Sequence, residues 1–342
     1  MRAAVYRGPG DIRVESVADP GAPAPDALVV EVTRAAICGT DSSEWAHGPL
    51  LAKPPVVLGH EFVGRVAAVG SEVDGFRVGD RVVSGAGVSC GVCAWCLAGR
   101  TNLCARYHTL GLHVDGGLAG LVSSPAAICR VVPDGVADDA AAMTQPLAVA
   151  LHSVRRSGLS AGQACAVIGA GGIGAFVVAG AKSRGAAPLI AIDIDEERLE
   201  TARSLGADVT IHARGVDLAA AILEATGGEG ADVVIEASGA PHAPAAALAA
   251  TRRGGRMVLV GLQSAPRELD LLAFGVREVD LVTTLAHVCD VDLPEALALL
   301  ASSNLAPTVL DRVIALDDLV EEGIRPLAER TAKGKIVVDT TV

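Results

Sequence analysis

The chain predicts an α/β protein of two domains, a β-rich first half and a second half folded as a doubly wound, parallel, six-stranded sheet. Three observations predict it. Its 342 residues exceed the size at which one hydrophobic core stops growing. From Met1 to about Val132, short alternating or apolar runs are separated by Gly, Pro and Asp. From Ala164 onward, apolar strand candidates alternate with helical segments, and the first of them runs straight into a glycine-rich turn.

Composition narrows the function classes. With 51% hydrophobic and 20% charged residues, the chain can bury an ample core, built mainly of Ala, Val and Leu. A net charge of -12 argues against nucleic acid or an anionic membrane as a general electrostatic partner. No apolar run reaches membrane-spanning length, and residues 1–8 lack the apolar core and cleavage site of a signal peptide. The chain is therefore expected in the cytoplasm, with its eight Cys as ligands or reduced thiols rather than disulfides.

In the first half, strands are expected at 28–32, 63–69, 81–83 and 128–132, punctuated by Asp74-Gly75 and Gly79-Asp80. The Pro-rich piece 20–25 reads as a surface connection. Between these strands lie Cys38-Gly39-Thr40-Asp41 and Gly59-His60-Glu61. Thiolate, imidazole and carboxylate are three ligand types of zinc, and three protein ligands leave a fourth position open, the catalytic arrangement. The plainer alternative is a small buried Cys and a solvated His-Glu turn.

Cys90, Cys93, Cys96 and Cys104 follow in the spacing C-x2-C-x2-C-x7-C. Four thiolates in one short loop satisfy a tetrahedral ion completely, so this set is expected to hold a structural zinc. An iron–sulfur cluster is the competing ligand, but there the last gap is three and a Pro follows. A nucleic-acid zinc ribbon conflicts with the acidic balance.

The second half opens with a helix expected from Asp138 or Asp139 through Gln145 toward Ser157, interrupted or kinked at Pro146. A strand at 164–168 leads into Gly169-Ala170-Gly171-Gly172-Ile173-Gly174 and a helix carrying Phe176, Val177 and Ala181. Gly169, Gly171, Gly172, Ile173 and Gly174 thus form a G-x-G-x-x-G turn that lets a pyrophosphate approach a helix N-terminus. The next strand ends at Asp193, nineteen residues after Gly174, where a carboxylate would accept from adenosine ribose hydroxyls and repel a 2′-phosphate. NAD is favoured over NADP on that ground, although Arg198 nearby could reach the ribose or serve a 2′-phosphate. Four further strands are expected at 208–211, 232–235, 257–260 and 281–284, with helices at 195–205, 218–225 and 244–250 between them. The strand ends carrying Glu236 to Gly239, Val260, Gly261 and Thr284 would line the nicotinamide crevice, or be plain turns after buried strands. A helix at 293–302 and a strand at 335–338 fit no further βα unit and are expected to return to the first domain.

Taken together these residues resemble the zinc-containing medium-chain dehydrogenase/reductases, across essentially the whole chain. The matching pieces are Cys38 to Asp41, 59–64, 78–82, the four-Cys lobe and Gly169 to Gly174. Within that family the chain is similar to the sorbitol, butanediol and threonine dehydrogenase branch, because Glu61 follows His60 and Trp45 sits seven residues after Cys38. The resemblance implies a GroES-like catalytic domain at 1–148 with a zinc lobe at about 88–106, a Rossmann domain at 149–287 and a C-terminal return at 288–342. It implies zinc-dependent oxidation of a secondary alcohol or polyol to the ketone with NAD, two zinc ions per subunit and a homodimer or homotetramer. Cys38, His60 and Glu61 match the catalytic zinc ligands, Thr40 the hydroxyl that bonds the alcohol, and Asp41 a carboxylate that orients the imidazole. Cys90, Cys93, Cys96 and Cys104 match the structural set.

Two departures matter. The branch often carries Glu-Pro-Leu where this chain has Gln145-Pro146-Leu147, which leaves Glu61 as the third ligand and Gln145 beside the site. The family's relay His is Ser43 here, so the proton leaves through Thr40 with the cofactor ribose and water, or through another His such as His47. Trp45, Leu112, His113 and the segment Leu285-Ala286-His287 are candidates for the substrate pocket or for core and surface. Two rival readings stand beside the first: a threonine-type amino-alcohol dehydrogenase, and a non-catalytic NAD-binding sensor favoured by Gln145 and Ser43.

Overall fold

The computed structural model describes residues 1–263 and 265–342. They form two compact units: Met1–Ala148 with Ala286–Val342, and Val149–Leu285.

The first unit is organised on the strand Ala27–Ala36, which pairs on one edge with Glu61–Val69 and on the other, over Ala27 to Glu31, with Leu121–Pro125. Beyond Glu61–Val69 lie Arg81–Ser84 and Cys129–Val131; on the other edge Lys335–Asp339 and then Leu310–Ala315 complete the sheet. Val30, Val32, Phe62, Val63, Val66, Val82, Ile336 and Val337 are all buried along these strands. Each such side chain removed from water contributes about 1.5–3 kcal/mol. Gly64 is required where two strands close: a Cβ there would stand 2.1 Å from the Glu31 carbonyl oxygen. The C-terminal strand runs antiparallel to Ala27–Ala36, with Val337 opposite Ala36, which brings the tail of the chain beside Cys38.

The expected helix at 138–157 is two helices, Asp138–Ala141 and Thr144–Ser157. Pro146 produces no kink because it is the third residue of the second helix, where its missing N–H has no intrahelical acceptor to lose. Neither Asp138 nor Asp139 caps the first helix; the N-cap is Ala137. Asp138 is drawn instead to Arg81 Nε at 3.1 Å and to the Thr33 hydroxyl at 2.6 Å, an ion pair outweighing a cap.

The second unit is a parallel sheet in the order Val209–His212, Leu189–Asp193, Cys165–Ile168, Ala231–Glu236, Thr251–Leu259, Asp280–Thr283. Cys165–Ile168 and Leu189–Asp193 are buried at every residue, as strands covered on both faces must be. The chain builds outward from Cys165–Ile168 to one edge, then returns to start again on its other side. This reversal opens a crevice between the C-terminal ends of Cys165–Ile168 and Ala231–Glu236, where Ile168 lies opposite Glu236. Among the described residues no helix is long and apolar enough to cross a membrane.

Candidate active site

Cys38 is the N-cap of the helix Gly39–His47, and its extended backbone turns the thiol back across the helix start. The Asp41 carboxylate folds back to accept from the Cys38 backbone N–H at 3.0 Å, which fixes both residues. His60 and Glu61 stand where the chain enters the strand Glu61–Val69, and Gly59 takes φ +99° to make that entry. A Cβ on Gly59 would meet the Leu118 backbone N at 2.5 Å, so the turn into His60 admits glycine alone. The ligand atoms of Cys38, His60 and Glu61 all lie within 4.8 Å of one another.

The electrostatics of this pocket call for a cation. Burial by itself would lower the His60 pKa, but Cys38 first, then Asp41 and Glu61, drive it up to about 10. Asp41, completely buried, is pushed upward by desolvation and pulled back by His60. His60 Nδ1 and Asp41 Oδ1 face each other at 3.6 Å, both buried and neither in a hydrogen bond. A slight turn of the ring would close that pair into an Nδ1–H···O bond and leave the lone pair on Nε2, the tautomer a metal ligand needs. Zinc would replace a proton among three acidic or thiol groups, and this donor set fits it.

Lys335, which no sequence motif singled out, belongs to the same pocket. Its Nζ donates to the Ile37 carbonyl at 2.8 Å and forms a short ion pair with Glu61 Oε2, both side chains being buried. Only the C-terminal return could deliver it, since Lys335 begins the strand opposite Ala36.

Other candidates separate clearly. The Thr40 hydroxyl lies 3.6 Å from Cys38 Sγ. Ser43 donates its hydroxyl to the Gly39 carbonyl at 2.9 Å, so it faces its own helix. His47 is exposed in the last turn of that helix, seven residues and about 10 Å from Thr40. Gln145 is buried in the first turn of Thr144–Ser157. Leu112 is core, His113 Nδ1 accepts from the Thr109 N–H at 3.2 Å, and buried His287 contacts the Gly85 carbonyl at 3.0 Å. The Trp45 ring is capped by Arg325 at 5.4 Å.

The four-Cys set gathers in one lobe, again with all sulfurs within 4.8 Å. Backbone N–H groups of Cys90 and Arg106 point at Cys104 Sγ, at 3.2 and 3.3 Å. Cys90 is lowered to about 5, chiefly by the Val92 N–H and the Arg106 side chain, whereas burial and its neighbouring thiols raise Cys96 to about 11. Four sulfurs this close cannot all be thiolates without a cation between them, which is the fit expected of a closed zinc site.

In the second unit the glycine turn follows Cys165–Ile168 directly, and Gly169 takes φ +95°. A Cβ on Gly174 would stand 1.8 Å from the Gly169 carbonyl oxygen. The helix Gly172–Ser183 has Gly171 as N-cap with no side-chain cap, whereas Asp195 and Asp217 cap the helices that follow. Gly172 is exposed and Ile173 half-buried, so this helix start is open to an anion. Asp193 ends its strand buried, accepting from the N–H groups of Ala170 at 2.8 Å, Ile194 at 2.8 Å and Asp195 at 3.1 Å. Arg198 approaches Asp193 to 3.8 Å and lies beside Gly171. Val260 and Gly261 donate backbone N–H bonds to the Glu236 carbonyl, and the Thr284 hydroxyl bonds the Leu259 carbonyl at 3.3 Å.

Comparison with known proteins matches residues 24–134 to the alcohol dehydrogenase GroES-like domain and residues 172–302 to the zinc-binding dehydrogenase domain. Sorbitol dehydrogenase of Macaca fascicularis is 36% identical over 90% of this chain and 88% of its own. The crystal structure of 2R,3R-butanediol dehydrogenase from Bacillus subtilis superposes with a TM-score of 0.90 at 31% identity, covering 99% of both chains. A zinc-binding dehydrogenase from Sinorhizobium meliloti 1021, solved with NADP, gives 0.91 at 31% identity over 99% of this chain and 98% of its own.

Proposed function

The chain belongs to the zinc-containing medium-chain alcohol dehydrogenases, and from that premise we propose that it oxidises a secondary alcohol or polyol to the ketone with NAD. It is an oxidoreductase by family. The observation that carries the substrate reading is the grouping of Cys38, His60 and Glu61 within 4.8 Å, together with relatives that act on sorbitol and butanediol.

When bound, zinc would supply Lewis acidity toward the alcohol oxygen and NAD would supply the hydride acceptor. The residues of the chain do the rest. Cys38 and Glu61 would bring negative charge to a pocket in which His60, Glu61 and Asp41 are buried, and Asp41, 3.6 Å from His60 Nδ1, would hold the imidazole in one tautomer once that pair closes. Lys335 offsets the excess negative charge and restrains the Glu61 carboxylate. Thr40, the hydroxyl beside Cys38, takes the proton of the substrate hydroxyl and passes it toward solvent. The Thr40 route is favoured over His47 by the closeness of the Thr40 hydroxyl to Cys38, since His47 is exposed at the far end of the helix.

NAD rather than NADP is supported by Asp193, whose buried carboxylate would repel a 2′-phosphate; Arg198 pulls the other way, and one solved relative carries NADP. Association as a dimer or tetramer is supported by the edge of the second unit, where Leu271, Leu272, Val276 and Leu281 are exposed. Turnover of an alcohol panel with NAD and NADP, before and after chelation, tests the reading. Diols and polyols are expected to reduce NAD in a zinc-dependent way. Threonine as the preferred substrate, or no turnover by protein holding two zinc ions, would overturn it.

A further inference from the structure

Glu236 ends the strand Ala231–Glu236 and is fully buried. Its Oε1 accepts from the Ser238 N–H at 2.7 Å, the Ser238 hydroxyl at 2.6 Å and the Gly239 N–H at 2.9 Å. Its Oε2 accepts from Gln263 Nε2 at 3.4 Å and lies so near Gly261 that a Cβ there would stand 2.6 Å away. Its backbone carbonyl takes the N–H groups of both Val260 and Gly261 at 2.9 Å. One residue therefore ties the loop after its own strand to the loop after the next. The first of these loops also abuts the glycine turn, because a Cβ on Gly169 would meet Ser238 Cα at 2.8 Å.

All four side-chain contacts are neutral donors, so the group acts as an acceptor on every side, the pattern of a carboxylate. Arg267 meets it through an amide, donating to Gln263 Oε1 at 3.0 Å. A loop staple needs no charge: an amide oxygen could accept from the Ser238 and Gly239 N–H groups without the cost of burying an anion. The charge asks for a second explanation.

The position supplies one. In a doubly wound sheet one mononucleotide lies on each half, and Asp193 with the glycine turn belongs to the adenosine half. Glu236 ends the first strand of the other half, at the reversal of strand order. The nicotinamide ring carries a positive charge when oxidised and none when reduced. Resting on the NAD reading above, we propose that Glu236 is a positioning residue whose buried charge biases this crevice toward the oxidised dinucleotide. It shapes the two loops and lowers the energy of a cationic ring beside them, which favours oxidation of the alcohol and release of NADH.

The test is calorimetric titration of the zinc-loaded protein with NAD+ and NADH, for wild type, Glu236→Gln and Gln263→Lys. The quantity read is the ratio of the NADH to the NAD+ dissociation constant. Both variants are expected to lower that ratio between about three- and thirtyfold, mainly by weakening NAD+, as one unit charge several ångströms away would. Gln263→Lys leaves the bonds from Glu236 to Ser238 and Gly239 in place, so it decides the matter if Glu236→Gln does not fold. An unchanged ratio, whether both dinucleotides weaken together or neither does, would reduce Glu236 to a loop staple and overturn the proposal. Wild type that binds neither dinucleotide would overturn the cofactor reading and this inference with it.

Discussion

At Glu61 a buried ammonium is brought to the carboxylate proposed to hold a metal ion. Lys335 is joined to Glu61 and to the Ile37 carbonyl, and neither charged group reaches water. Removing one member of such a pair leaves the other uncompensated, typically at a cost of about 3–5 kcal/mol. Lys335→Met is therefore expected to lower unfolding stability by about that amount in the metal-free protein, measured by urea denaturation. Glu61→Gln combined with Lys335→Met should recover part of the loss. A Lys335→Met protein as stable as wild type would show the pair to be incidental. The residues of this pocket were unequally legible. Cys38, His60 and Glu61 offered three ligand types of zinc in two short motifs, and the family resemblance across the chain carried that reading and pointed to Thr40. Lys335 lies 274 residues from Glu61, on a strand whose pairing partner is fixed only by the fold. The Ser43 hydroxyl bonds the Gly39 carbonyl within its own helix, a local contact that sequence cannot see.

Among elements, the four-Cys lobe depends most on its ligands. Of the described residues 90–106 only Asn102 and Cys104 are buried, so no apolar core holds the segment together. Cys104→Ser is expected to reduce zinc from two ions per chain to one and to open the lobe to proteolysis. The ion at Cys38 should remain, as read by metal analysis after limited trypsin digestion. The link between the helix Asp138–Ala141 and its sheet gives a pH-dependent counterpart. Burial raises the Asp138 pKa, but bonds from Thr33 and Arg81 outweigh it and hold the group below its ordinary value of 3.8. A depressed folded pKa contributes stability that is present above the unfolded pKa and is lost as pH falls through the folded one. Asp138→Asn should thus cost about 0.5–1 kcal/mol at pH 7, the group being half-buried, and the gap should close as pH falls below 3.8 and through the folded pKa. A gap that persists at acid pH would assign the effect to packing. Asp138 was read as a helix cap because Asp before an Ala-rich run is the usual signal; its capture by Arg81, 57 residues away, is a tertiary contact that overrides that signal. The glycine turn and the six strands were legible because each is a local pattern of periodicity and breakers.

At the scale of the molecule, the chain leaves its first unit, builds a second, and returns to complete the first with its last strand. That return was readable because no further βα unit could be assembled from the tail. The exposed leucines at the edge strand Asp280–Thr283 and the helix Leu271–Arg277 belong to this scale too. Light scattering is expected to find a dimer or tetramer, and Leu272→Glu with Leu281→Glu to shift it toward monomer; a wild-type monomer would contradict the association. The proposed activity stands on a metal ion held by Cys38, His60 and Glu61. Anomalous diffraction at the zinc edge, from crystals of protein purified with zinc, tests it most directly. Two peaks per chain are expected, one among those three side chains and one among Cys90, Cys93, Cys96 and Cys104. A peak at the four cysteines alone would contradict it.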